Sequence, residues 1–146
     1  MIVVDSSAIV AILAGEVAAP ALLARLAKDD ERFMSVASYL ETGTVLAGRR
    51  QSDRLRAVDD LDDFLREAGI VLVPVDVPQA RLALQARIRF GRGMGHGGAL
   101  NFGDAFSYAL ARSRAAPLLF VGNDFGTTDV AVALADAEQN IGVSGP

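Results

Sequence analysis

The 146-residue sequence contains no cysteine, which excludes disulfides, thiolate metal sites and a cysteine nucleophile together. Histidine occurs once, at His96, and one histidine cannot build a zinc site where no thiolate is available. Lysine also occurs once, at Lys28, so nearly all the positive charge is guanidinium, which suits planar, bidentate contacts with phosphate. No apolar run approaches the roughly 20 residues of a membrane span. The first basic residue is Arg25, behind an amino end that opens directly on Ile2-Val3-Val4, so no signal peptide is expected. These absences predict a cytoplasmic protein with no membrane partner. A net charge of −4 argues against a wholly basic nucleic-acid-binding surface, but an average can conceal a local patch. Between Asp76 and Asp104 there is no acidic residue, and that interval holds Arg81, Arg87, Arg89 and Arg92.

What is present is apolar content, 51% of the chain, enough at this length for one domain over residues 1–146 with a sizeable core. Ile2-Val3-Val4 reads as a strand that turns into a helix at Asp5-Ser6-Ser7. A second helix carries Ala18, Leu22, Leu23, Leu26 and Ala27 at helical spacing. Phe33, Met34 and Val36 suggest a brief strand, followed by a helix from about Ala37 to Arg49, on which Ala37, Glu41, Val45 and Gly48 share one stripe. From Gln51 to Ala68 the pattern is a charged amphipathic helix with Leu55, Val58, Leu61 and Leu65 inward; Gly69 stops it. Ile70–Val73 is a buried strand, and a helix runs from about Pro78 to Phe90.

The stretch GRGMGHGG, residues 91–98, lacks the Lys-Ser/Thr ending of a P-loop and does not follow a strand, so it reads as a flexible loop. His96 lies in it as a candidate substrate contact. Next comes a helix capped by Asn101, with Asp104 in its first turn and Phe102, Phe106, Ala109 and Leu110 as its apolar face. Leu118–Val121 is a last buried strand, stopped by Gly122-Asn123-Asp124. Val130–Leu134 would add an edge strand or a short turn, and residues from about 135 to 146 a loose tail. The order β, α, α, β, α, α, β, α, α, β predicts an α/β fold: a mainly parallel sheet of four to five short strands with helices on both faces.

Four acids stand out by position. Asp5 and Asp124 follow strands, where ligands collect in open α/β sheets; Glu41 sits on a helix and Asp104 at a helix start. Taken singly, Asp5 is most simply a helix cap and Glu41 a boundary residue reaching for water. If all four converge, like charges sharing a site raise one another's pKa, and a hard divalent cation such as Mg²⁺ or Mn²⁺, singly or as a pair, is the natural counter-ion for an all-oxygen set. Such a cation activates water and stabilises charge on phosphate.

The blocks IVVDSSAIVAIL, SVASYLETGTVL, ALNFGDAFSYALA and LLFVGNDFGTTDV resemble, in order and spacing, those of PIN-domain ribonucleases, and specifically VapC-type toxins of type II toxin–antitoxin (VapBC) pairs. The resemblance covers almost the whole chain. It implies a PIN-like three-layer fold and a Mg²⁺- or Mn²⁺-dependent endoribonuclease, a hydrolase acting on tRNA, rRNA or mRNA. It implies that Asp5, Glu41, Asp104 and Asp124 form the catalytic, metal-binding set, that Asp129 is a further candidate ligand, and that Ser6 and Asn101 line the site. The acid-free run of arginines would hold RNA. A cognate VapB-like antitoxin and a homodimer are also implied. The alternatives are a PIN module that binds RNA or protein without cutting, or another α/β phosphoryl-transfer enzyme. A dehalogenase-like phosphatase would need a second Asp where Ser7 stands, and a response-regulator receiver a late lysine that is absent.

Overall fold

The computed structural model describes residues 1–135 and 138. Its elements follow in the order β1 (Ile2–Val4), α1 (Ser6–Leu13), α2 (Ala19–Leu26), β2 (Arg32–Ser35), α3 (Val36–Arg49), α4 (Arg54–Glu67), β3 (Ile70–Val73), α5 (Val77–Phe90), α6 (Asp104–Arg114) and β4 (Leu118–Leu119). This is the succession that the hydrophobic pattern predicts. Every ladder is parallel and the strand order is β3-β2-β1-β4. Val3 is paired with Phe33 on one side and Leu118 on the other, so β1 is central.

Alternation along the strands divides the interior into two cores. Ile2, Val4, Met34, Ile70 and Leu119 face one side, where Ile9 of α1, Leu22 and Leu26 of α2, and Leu61 and Leu65 of α4 cover them. Val3, Val73 and Leu118 face the other, under Ala83 and Ala86 of α5 and Ala105, Tyr108 and Leu110 of α6. Burial on both faces explains why β1 and β4 read as unbroken apolar runs, whereas β3, at the sheet edge, exposes Val71 and Leu72 despite its apolar sequence. α3 touches α1 and α4 on one side and α6 on the other, and so bridges the two helical layers.

The chain steps from β1 to β2 to β3 in one direction, then returns across the sheet to place β4 on the free side of β1. The strand order therefore reverses between β1 and β4. A crevice opens beyond the carboxyl ends of the strands at such a point. Asp5 immediately follows β1, and the turn holding Asp124 follows β4.

Several local expectations change. β4 pairs over two residues only, because Phe120 leaves the ladder to pack on Phe125 at 4.8 Å between ring centroids. Val130–Leu134 supplies one parallel bridge, Leu118 to Val132, instead of a strand. On α3 the buried stripe is Ser38, Thr42 and Leu46; Val45 and Gly48 face outward. Leu55 is exposed, since α4 begins only at Arg54 and its inward stripe is Ala57, Leu61 and Leu65. Phe102 precedes α6 and is exposed, while α6 itself is buried around most of its circumference by α5, α3 and the sheet. The 91–98 loop is pinched at its base: Gly91 bridges Leu100, and the Arg87 guanidinium holds the Leu100 carbonyl. The expected tail lies almost wholly outside the described residues.

Candidate active site

Asp5 is both the last residue of the β1 exit and the N-cap of α1, and it is only 2% exposed. Its Oδ2 accepts hydrogen bonds from the Ser7 backbone N–H at 3.0 Å and the Ser7 hydroxyl at 2.7 Å. The Ser7 Oγ in turn accepts from the Val121 N–H at 3.0 Å, which ties the exit of β4 to the start of α1. The Asp5 Oδ1 accepts from the Ser107 hydroxyl of α6 at 2.5 Å, and behind Ser107 lies Ser38 of α3, Oγ to Oγ 2.9 Å. The helix-capping and functional readings of Asp5 are thus compatible: one carboxylate caps α1 and faces α6.

Glu41 projects from α3 toward the same place, where the Ser6 hydroxyl donates to its Oε1. Its carboxylate packs so closely on Gly103 that a Cβ at that position would overlap it. Asp104 opens α6 and exchanges hydrogen bonds with Asn101. The Asn101 N–H donates to Asp104 Oδ2 at 2.8 Å, and the Asp104 N–H donates to Asn101 Oδ1 at 2.9 Å, in the manner of a capping box. Asn101 therefore caps as the sequence suggests, although the regular helix starts three residues later.

Burial pushes the Asp104 carboxyl from 3.8 up to about 7; the Asn101 N–H opposes this, and the negative charges of Asp5, Asp124 and Glu41 add to it. Those three charges reach Asp104 because the four acids singled out in the sequence are neighbours. Asp124 is more open than Asp5 and Asp104, with 44% of its side chain exposed and the Arg92 guanidinium 3.8 Å away.

The other candidates disperse. Asp129 accepts from the Tyr108 hydroxyl at 2.6 Å and lies 4.0 Å from Arg112. The Tyr108 bond, aided by Arg112, lowers the Asp129 pKa, and burial together with Asp129 raises Tyr108 to about 12. Arg87 is engaged by the Leu100 carbonyl, and Arg89 stacks over Phe90 at 4.7 Å. Arg81 lies exposed on α5, and His96 is exposed in its loop. Of the four arginines, Arg92 is the one that meets the acids.

Sequence reasoning passed over Ser7, Ser38, Ser107 and Gly103. A signal for two of them is present: Ser38 and Glu41, and again Asp104 and Ser107, are three residues apart on a helix, which puts each pair on one face. Gly103 carries no such signal, because its need arises from a side chain 62 positions earlier in the chain.

The donor chemistry suits a hard cation. The four acids supply oxygen alone, and a divalent ion would offset the burial and the neighbouring negative charges that raise Asp104. As they stand, the described residues contain no group of three His, Asp or Glu side chains arranged to hold a metal ion, Asp5 and Glu41 being held by serine hydroxyls. No helix among the described residues is long and apolar enough to cross a membrane.

Comparison with known proteins adds to this geometry. The sequence profile of the PIN domain matches residues 2–131. Ribonuclease VapC28 of Mycobacterium tuberculosis is 52% identical over 132 residues, covering 90% of this chain and 97% of the relative. A VapC ribonuclease of Mycolicibacterium smegmatis is 47% identical over 129 residues, covering 88% of this chain and 97% of its own length. Among solved structures, the sarcin-ricin loop cleaving toxin VapC20 of M. tuberculosis superposes with a TM-score of 0.71 at 19% identity, covering 90% of this chain and 97% of that one. A toxin–antitoxin complex from Klebsiella pneumoniae gives 0.63 at 16% identity, covering 90% and 96%. At those identities the structural likeness speaks for the fold.

Proposed function

Because this chain belongs to the PIN-domain family and, within it, to the VapC ribonucleases, we propose that it is a toxin endoribonuclease that hydrolyses RNA phosphodiester bonds at the acidic site beyond β1 and β4. One observation carries the reading: Asp104, buried and facing the charges of three other acids, is raised to about 7. Negative charges acting on a buried carboxyl disfavour its ionised form, and a cation joining them would relieve this.

Asp5, Glu41, Asp104 and Asp124 would hold one or two Mg²⁺ or Mn²⁺ ions, which when bound supply an activated water and neutralise charge on the phosphate. The chain's own residues do the rest. Ser7 and Ser107 fix the Asp5 carboxylate, Ser6 steadies Glu41, and Asn101 steadies Asp104. Arg92, open to solvent beside Asp124, binds a phosphate flanking the scissile one, with Arg81 and Arg89 further along α5. Single-stranded RNA suits such a cleft, because its backbone can enter where a duplex cannot. Asp129 organises the turn that carries Asp124, through Tyr108, instead of ligating.

The partner is a cognate VapB-like antitoxin, and the toxin is a homodimer. Support comes from the Klebsiella neighbour, solved as a toxin–antitoxin complex, and from apolar side chains left exposed on α3 (Val36, Leu40) and α5 (Val77, Leu84, Ile88). Inducing the protein in cells and sequencing RNA ends tests the proposal. Wild type should create a small set of new ends that Asp5→Asn does not. Identical ends from both, or none from either, would overturn it.

A further inference from the structure

Asp5 is held by a chain of hydroxyls that reaches across three elements. Ser38 of α3 is 2% exposed and Ser107 of α6 fully buried; their oxygens lie 2.9 Å apart, and Ser107 donates to Asp5 Oδ1 at 2.5 Å. A hydroxyl has one proton. Since Ser107 gives its proton to Asp5, Ser38 must give its own to Ser107, and the chain acquires a direction, from Ser38 through Ser107 to the carboxylate. The backbone carbonyl of Ser38 accepts from the Thr42 hydroxyl at 2.7 Å, so α3 presents Ser38 from a buried hydrogen-bonded turn.

The two oxygens of Asp5 are not equivalent. Oδ2 already accepts two hydrogen bonds, both from Ser7, whereas Oδ1 accepts one, from Ser107. With about two lone-pair directions per carboxylate oxygen, Oδ1 is the one with capacity left. Building on the proposed metal-dependent nuclease, we propose that Ser107, backed by Ser38, is a positioning residue that aims Asp5 Oδ1 into the acidic site. In this arrangement Ser7 fixes one edge of the carboxylate to α1 and β4, Ser107 fixes the other to α6, and rotation about the Cβ–Cγ bond is stopped. Asp104 starts the helix that carries Ser107 one turn later, so the same element sets the position of one acid and the orientation of another. Glu41 stands in the same relation to Ser38 on α3.

Partners that orient metal-binding side chains are commonly worth about 10- to 100-fold in metal affinity or activity. The test uses Mn²⁺ alone, titrated calorimetrically into the full chain without RNA, for wild type, Ser107→Ala, Ser107→Thr, Ser38→Ala and the double alanine variant. Thermal unfolding in chelator checks that each variant folds. Ser107→Ala should weaken Mn²⁺ binding about 10-fold or more, and Ser107→Thr should restore it because the hydroxyl returns. Ser38→Ala should show a smaller loss that vanishes in the Ser107→Ala background, since Ser38 acts through Ser107. RNA cleavage at saturating Mn²⁺ should recover more than cleavage at low Mn²⁺. If wild type binds Mn²⁺ and Ser107→Ala binds it as tightly, the serines are structural and the positioning role is overturned on its own. If wild type itself shows no saturable binding, the metal-dependent reading fails first and takes the role of Ser107 with it. Should Ser107→Ala not fold, unchanged Mn²⁺ binding by Ser38→Ala is sufficient to overturn the proposal.

Discussion

Replacing Asp104 by asparagine removes one negative charge from a buried site while keeping the shape of the side chain. The asparagine Oδ1 can still accept from the Asn101 N–H, so the start of α6 keeps its hydrogen bond. The folded protein holds Asp104 at about 7 against an ordinary 3.8, chiefly through burial with the neighbouring acids adding to it, which corresponds to about 4 kcal/mol before any screening by solvent. Water enters beside the half-open Asp124, and with that screening we expect about 2 kcal/mol. The sign follows from proton uptake. Below 3.8 the carboxyl is protonated in both states; between 3.8 and about 7 only the folded state keeps the proton, so stability falls as pH rises; above about 7 the penalty is constant. In chelator, Asp104→Asn should therefore exceed wild type by about 2 kcal/mol at pH 8, with the gap closing as pH falls toward 4. Urea unfolding at several pH values measures this. No gain at pH 8, or a gain independent of pH, would refute the claim that Asp104 is held in a buried site that disfavours its charge.

Gly103→Ala should reduce RNA cleavage with little change in stability, because its methyl takes the space of the Glu41 carboxylate and turns that flexible side chain aside. A cleavage rate that matches wild type would contradict that packing. Tyr108→Phe should remove about 1 kcal/mol by depriving Asp129 of its donor, and Asp129→Asn should retain cleavage whereas Asp124→Asn loses it. Equal loss in the two aspartate variants would place Asp129 among the ligands. Neutralising Arg81, Arg89 and Arg92 together should weaken binding to unrelated RNAs alike and flatten its salt dependence, by about 0.7 in log–log slope for each single-strand phosphate that is no longer neutralised. An unchanged slope would make these arginines an ordinary solvated surface.

The order of elements was legible because β1 and β4, buried on both faces, are continuous apolar runs, β3 is apolar throughout although its middle is exposed, and the helices between strands repeat at a different period. Asp5 and Asp124 stood out for a related reason, since a carboxylate just after such a run falls at the carboxyl edge of a parallel sheet; Glu41 and Asp104, on helices, stood out by a helix stripe and a first turn instead. What the sequence hid was set by distant neighbours. The inward stripe of α3 is displaced by one residue because α3 rests on both α1 and α6, and Ser38 and Thr42, polar in sequence, face the interior. Phe102 looks like core and is exposed, since it precedes the first turn of α6. Asp129, a candidate ligand in the turn after Asp124, accepts from Tyr108, 21 residues back on α6, a contact that no local pattern announces. Arg87 looked like a free cation and instead closes the base of the glycine-rich loop.

If Asp5, Glu41, Asp104 and Asp124 form one divalent-cation-dependent RNA-cleaving site, activity must follow both the cation and the carboxylates. Cleavage of total RNA by the purified chain in Mn²⁺, in chelator, and after Mn²⁺ is restored, alongside Asp5→Asn and Asp124→Asn, decides this. Wild type should cut, stop in chelator and resume, while both variants stay silent throughout with their fold intact by circular dichroism. Undiminished cutting in chelator, or cutting by either variant at the wild-type rate, would show that the four acids are not the site of RNA cleavage.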